Sequence, residues 1–315
     1  MPDLNNNSFF DGRIGFASAQ CNGVYYNPSI LYSPPVDAAG NSFPNASFSA
    51  AWDDGYGNVT STTNLSNDFK AYRSIENGGA GTATGVAAFY YRYTGSQTSA
   101  AQKDYYNTNS TFYTECNSST TSSTAPFVKV TVGASEQQNF ANWYSYYRTR
   151  MMMMKTASGQ AFKALDSHFR VGFMSLHGNL VSASSSQKFI NIADFDSTQK
   201  SLWYDRLYSA NPSSDTPLRE ALANAGRIYA GKLTSLNSVS VTDPVQYSCQ
   251  QNFTILSTDG FWNGTDDDVK KINGTTTMDN QDGGLPRPYN DGALAISTTV
   301  TPYISTVDRQ TVTTG

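Results

Sequence analysis

Apolar residues recur at three- and four-residue steps from position 140 onward: Phe140, Trp143, Tyr144, Tyr147, Met151 and Met154, then Phe162 and Leu165. That spacing lays one apolar stripe along a long helix, with Ser158-Gly159 as the place where it would break. Ser135-Glu136-Gln137-Gln138 has the S-x-x-Q shape of a capping box and marks the helix start. Shorter runs predict strands. Residues 87–93 (AAFYYRY), 127–132 (FVKVTV), 170–176 (RVGFMSL) and 189–195 (FINIADF) are rich in β-branched and aromatic side chains. Phe253, Ile255 and Leu256 form another apolar run, read as a buried strand of an α/β sheet. It stops at Ser257-Thr258-Asp259-Gly260, where the glycine permits a sharp turn. Asp196 suits the cap of a helix whose apolar face includes Leu202, Trp203 and Leu207. Thr216 suits the cap of another, with Pro217 in its first position and Ala225, Ile228 and Tyr229 further along.

The order from position 135 is helix, strand, strand, helix, helix, strand. It predicts an α/β fold: a mainly parallel sheet covered by helices. Three regions follow. Residues 1–134 hold Tyr25-Tyr26-Asn27-Pro28, Ser33-Pro34-Pro35 and few helical patterns, and read as a Tyr/Asn/Thr-rich, irregular, β-containing insertion. Residues 135–265 carry the α/β core. Residues 266–315 read as a loop region, with Asp266-Asp267-Asp268 and Asp279-Asn280-Gln281-Asp282-Gly283-Gly284.

Composition narrows the setting. Of 315 residues, 38% are hydrophobic and only 15% charged, so the polarity comes from Asn, Ser, Thr, Gly and 20 Tyr. That mixture suits an extracellular surface better than a cytosolic enzyme. A net charge of -4 leaves no basic stripe to neutralise phosphates, which argues against a nucleic-acid partner. No apolar run approaches the ~20 residues that span a bilayer. The first seven residues lack the basic and apolar regions of a secretion signal, so the chain reads as cytosolic or as a fragment of a longer protein. Cys21, Cys116 and Cys249 fit no zinc spacing and permit at most one internal disulfide. Cys21 and Cys116, both in polar surroundings, are the favoured pair, with three reduced thiols as the alternative. Cys249 reads as a buried thiol.

Catalytic chemistry is scarce. Only His168 and His177 are available as general bases, and His168 reads as a surface residue. There is no G-x-S-x-G elbow, Walker A loop or G-x-G-x-x-G. Residues 279–283 are calcium-like in composition without EF-hand periodicity and read as a loop. The sequons at Asn45, Asn252 and Asn263 are expected by chance in so Asn/Thr-rich a chain. Met151–154 reads as core packing rather than a thioether cluster. One constellation remains. Thr216 opens a helix and Asp259 ends a strand, and both would face the carboxyl edge of the sheet, where α/β folds bind ligands. A hard cation accepts hydroxyls, carboxylates and waters, so the two could supply part of its shell. The bland alternative is a capping threonine and a turn aspartate.

Residues 139–157 (NFANWYSYYRTRMMMMKTA), 170–173 (RVGF), 216–222 (TPLREAL) and 249–264 (CQQNFTILSTDGFWNG) resemble the PilC/PilY family of type IV pilus tip-associated proteins. Residues 20–28 (QCNGVYYNP) and 50–55 (AAWDDG) extend the likeness into the first region. The resemblance implies a von Willebrand factor A-like domain in a non-enzymatic, secreted adhesin and pilus-biogenesis factor at the cell surface. Its implied partners are minor pilins and a host or abiotic surface receptor. It also implies a metal-ion-dependent adhesion site, built from D-x-S-x-S, a threonine and an aspartate before glycine. Thr216 and Asp259 match the last two parts, whereas no aspartate here is followed two residues later by serine. The chain therefore reads as a piece that starts after that motif and stops before the domain's later strands. A divalent cation (Mg²⁺ or Mn²⁺, with Ca²⁺ as a further option) is expected only if the motif is supplied upstream. The alternative is a purely structural module docking on minor pilins.

Overall fold

The computed structural model describes residues 13–70, 85–98, 109–118, 125–176, 189–210, 216–258 and 269–277, except positions 59, 237, 238 and 248. It also gives the backbone of four short strands between 287 and 312. Strands β1 (Ala51–Trp52), β2 (Thr62–Thr63), β3 (Phe89–Tyr93) and β4 (Phe127–Thr131) belong to the first region, together with helix α1 (Thr111–Cys116). Helices α2 (Gln137–Tyr146) and α3 (Arg150–Phe162) follow, then strands β5 (Arg170–Met174) and β6 (Phe189–Asp194). Helices α4 (Ser197–Ser209) and α5 (Leu218–Tyr229) precede the short strands β7 (Ser235–Leu236) and β8 (Val239–Ser240). The loop region expected at the end contains two short antiparallel backbone ladders.

The long apolar stripe is two helices, broken ten residues ahead of the expected site. Thr149 has extended backbone and its hydroxyl accepts the amide of Met152, so it starts α3 afresh. The expected capping box does not form: α2 begins at Gln137, and Glu136 before it makes no side-chain cap. Gly159 sits inside α3 instead of ending it. Its bare Cα admits α4, because a Cβ there would overlap the Tyr208 hydroxyl. Its carbonyl accepts the Tyr204 hydroxyl at 2.6 Å.

Helix α2 is buried on nearly all sides by the first region. Phe140, Trp143, Tyr144 and Tyr146 pack among Tyr25, Tyr26, Leu65, Phe69 and Phe89. Tyr26 lies 4.8 Å from Phe140, and Tyr25 lies 5.0 Å from Trp143, ring centre to ring centre. Polar ties fix the register. Trp143 Nε1 donates to the Val24 carbonyl, and buried Asn142 donates to Tyr32 O while accepting from Ala46 N. Residues on either side of position 134 therefore share one core.

A second cluster joins α3, α4 and the β5–β6 pair around Phe195, Trp203, Leu207 and Tyr208. Phe162 stacks on Trp203 at 4.4 Å. Asp196 caps α4 as expected, its carboxylate accepting the amides of Thr198 and Gln199. Leu202 departs from expectation, lying 41% exposed beside buried Trp203.

The four strand readings at 87–93, 127–132, 170–176 and 189–195 all hold. β3 pairs with β4, and β5 with β6. Every ladder among the described residues is antiparallel and two-stranded. The expected A-like sheet needs further strands beside β5 and β6, and no described strand pairs with either outer edge. The run expected to be a buried strand is a correction. Residues 252–258 lie outside any ladder, with Phe253 and Ile255 75% and 79% exposed. No described strand lies beside them to take up their amides, so the apolar side chains face outward. Cys249, just ahead of that run, is exposed for the same reason rather than buried. The favoured disulfide is present: Cys21 and Cys116 are joined, packed against buried Phe112. Among the described residues, no helix is long and apolar enough to cross a membrane.

Candidate functional site

Thr216 stands two residues ahead of α5, one position earlier than a capping residue would. Pro217, with ψ near 63°, is the residue that precedes the helix, and it makes no side-chain cap. The Thr216 carbonyl accepts the amide of Leu218 at 2.8 Å and closes the entry turn. Glu220 in the first turn and Arg227 in the last complement the helix dipole. Asp259, its expected partner, lies outside the described residues, as do His177, Asn263 and residues 266–268 and 279–283. A hexacoordinate cation wants about six oxygens. Thr216 offers one hydroxyl, and no group of three or more His, Cys, Asp or Glu gathers among the described residues. On their own these residues do not enclose an ion.

The other acidic groups have structural occupations. In residues 50–55 the Asp53 carboxylate accepts the hydroxyls of Ser61, Thr63 and Tyr144 at 2.5–2.8 Å. Burial pushes its pKa up, but those hydroxyls and the nearby Arg148 outweigh it and hold the carboxyl below the usual range. Asp54 accepts the Tyr56 amide and the Asn58 side chain. The pair is a loop hub tied to α2, not an open ligand set. His168 is exposed as expected, and it closes a short turn with Asp166 at 2.9 Å.

The sequence pattern missed Lys155. It lies on α3, 2% exposed, and donates to the Tyr208 carbonyl at 2.8 Å. Its ammonium stands 5.1 Å over the Tyr56 ring. Desolvation pulls its pKa down to about 8, against the opposing pull of Asp54.

Beside it a cleft of about 490 Å³ opens between α4 and the loops around Asp37 and Asn58. Phe43, Tyr56, Tyr204 and Tyr208 line it together with Asp37 and Asp205. The signal that could have pointed to this wall is helical spacing. Ser201, Asp205 and Ser209 fall at i, i+4 and i+8 on one face of α4, next to Tyr204 and Tyr208.

No family model and no solved structure matches the chain. Three curated relatives do, each called type IV pilus biogenesis factor PilY1 and each from Pseudomonas aeruginosa. The protein of strain PAK is 31% identical over 304 residues, 89% of this chain. That of strain UCBPP-PA14 is 33% identical over 275 residues, 84% of this chain. That of strain PAO1 is 30% identical over 303 residues, again 89% of this chain. The chain spans about a quarter of the length of these relatives: 24%, 22% and 24%.

Proposed function

Over this segment the chain belongs to the PilC/PilY family of type IV pilus proteins, and on that premise we propose that it works at a pilus as a tip-associated adhesin and biogenesis factor. The carrying observation is the alignment over 84–89% of the chain with proteins named as pilus biogenesis factors. The scarcity of catalytic motifs supports a binding role rather than an enzymatic one. An extracellular, cell-surface location agrees with the Asn/Ser/Thr/Tyr-rich surface and the Cys21–Cys116 disulfide, since disulfides persist in oxidising compartments.

The finer reading is binding of a host or abiotic surface receptor through a von Willebrand factor A-like domain. Thr216 and Asp259 would then be two ligands of a divalent cation, with the rest of the shell coming from a D-x-S-x-S segment that this sequence lacks. A receptor carboxylate would take the remaining position. Calorimetric titration of Mg²⁺ into this chain and into one extended upstream by D-x-S-x-S tests it. Uptake by the extended chain alone, lost in Asp259→Ala, is the expected result. No uptake by the extended chain removes the metal site. In cells, Asp259→Ala is expected to abolish attachment while leaving piliation intact. Loss of piliation as well would favour the purely structural role of docking on minor pilins.

A further inference from the structure

We propose that the cleft beside α4 binds a neutral sugar residue, independently of any metal. Three features point there. The floor is aromatic and fixed. Tyr56 and Tyr208 lie 4.8 Å apart, and Phe43 meets Tyr208 edge-on at 5.5 Å. The hydroxyls of Tyr56, Tyr204 and Tyr208 are tethered inward, to the Met152, Gly159 and Val36 carbonyls. The rings thus keep their positions and present carbon surface, the complement of a pyranose C–H face.

The walls are polar, and of their two carboxylates Asp205 has a cationic partner in Arg206. Ser201, Asp205 and Ser209 form a hydroxyl–carboxylate–hydroxyl ladder along α4, and Asn58 and Asp37 face them across the opening. Among the described residues no lysine or arginine lines the cleft, which removes the usual ligand for an anion. A cation is disfavoured as well. Both carboxylates already have partners: Asp37 accepts the Asn41 amide and side chain, and Asp205 is paired with Arg206. The aromatic cluster also holds its own ammonium, buried Lys155 behind Tyr56, which draws on the same ring quadrupole. What fits is a ligand with an apolar face and several hydroxyl donors and no charge.

The test is saturation-transfer NMR on the whole chain with methyl β-D-galactopyranoside, methyl α-D-mannopyranoside and choline chloride as probes. At least one glycoside is expected to bind saturably in the millimolar range, and choline to stay silent. Ser201→Trp places an indole at an exposed position in the cleft mouth and is expected to weaken glycoside binding at least tenfold. Asp205→Asn, which keeps the size of the side chain but takes the charge opposite Arg206, should weaken it less. Binding of choline but neither glycoside would replace the proposal with a cation cage. Silence from both glycosides, or glycoside binding unchanged in both variants, would overturn it.

Discussion

At the scale of single residues, Asp196 and Lys155 take opposite surroundings: one caps α4 at the surface, and the other is buried behind the Tyr56 ring. Asp196 was readable as a cap because the amides it accepts, those of Thr198 and Gln199, are two and three residues away. Lys155 was not, because a lysine between apolar steps of a helix ordinarily faces water, and only the arrival of Tyr56 and Tyr208 from afar buries it. Its burial yields a prediction. The folded chain holds the Lys155 pKa near 8, against 10.5 for the free group. Between those values the unfolded chain binds a proton that the folded chain does not, so this residue makes stability rise with pH across that window. Below pH 8 the penalty for the buried charge is constant. Lys155→Met removes the titration and fills the same space. Denaturant unfolding of both proteins should show the wild type gaining about 3 kcal/mol on the variant between pH 8 and 10.5. Tyrosine ionisation cancels in that difference, so a flat difference would mean that Lys155 is hydrated in solution.

At the scale of elements, type was legible and partnership was not. The strands β3, β4, β5 and β6 fall where β-branched and aromatic runs place them, within two residues. Periodicity also found both halves of the α2–α3 stripe, but not the break, since Thr149 caps with its hydroxyl and leaves the apolar spacing unbroken. The run at 252–256 shows the limit most plainly. A short apolar run states that burial is favourable, while the strand that would bury it is a non-local fact. In this structure the Tyr229 hydroxyl ties that backbone to a neighbouring element, donating to Phe253 O at 2.8 Å. Ile255→Ser should therefore change the unfolding free energy of this chain by no more than about 0.5 kcal/mol, the range of surface substitutions. A loss of about 2–4 kcal/mol would mean that Ile255 is packed in solution and the original strand reading holds.

At the scale of the whole molecule, the region up to position 134 and helix α2 after it share one aromatic core. The division drawn at that point follows a change of composition, and composition does not report packing. Asn142, Trp143 and Tyr146 each bond to first-region carbonyls about a hundred residues away in sequence, and those bonds close a shared aromatic core. The tyrosines of that core and of the cluster around α4 make the point measurable. Burial pushes the phenols of Tyr90, Tyr147 and Tyr204 up to about 12, and those of Tyr56, Tyr146 and Tyr208 up as well. The ordinary phenol titrates near 10. An acid whose folded pKa is raised contributes stability that is complete below 10 and is lost as pH climbs toward 12, because the unfolded chain releases its protons first. Six such groups spread over both regions should make alkaline unfolding a single transition in that window. Tyrosinate absorbance and helical ellipticity should then change together, with one midpoint. If a set of tyrosines ionises while the α2–α4 signal persists, the first region opens on its own, and the shared core does not couple the two halves of the chain.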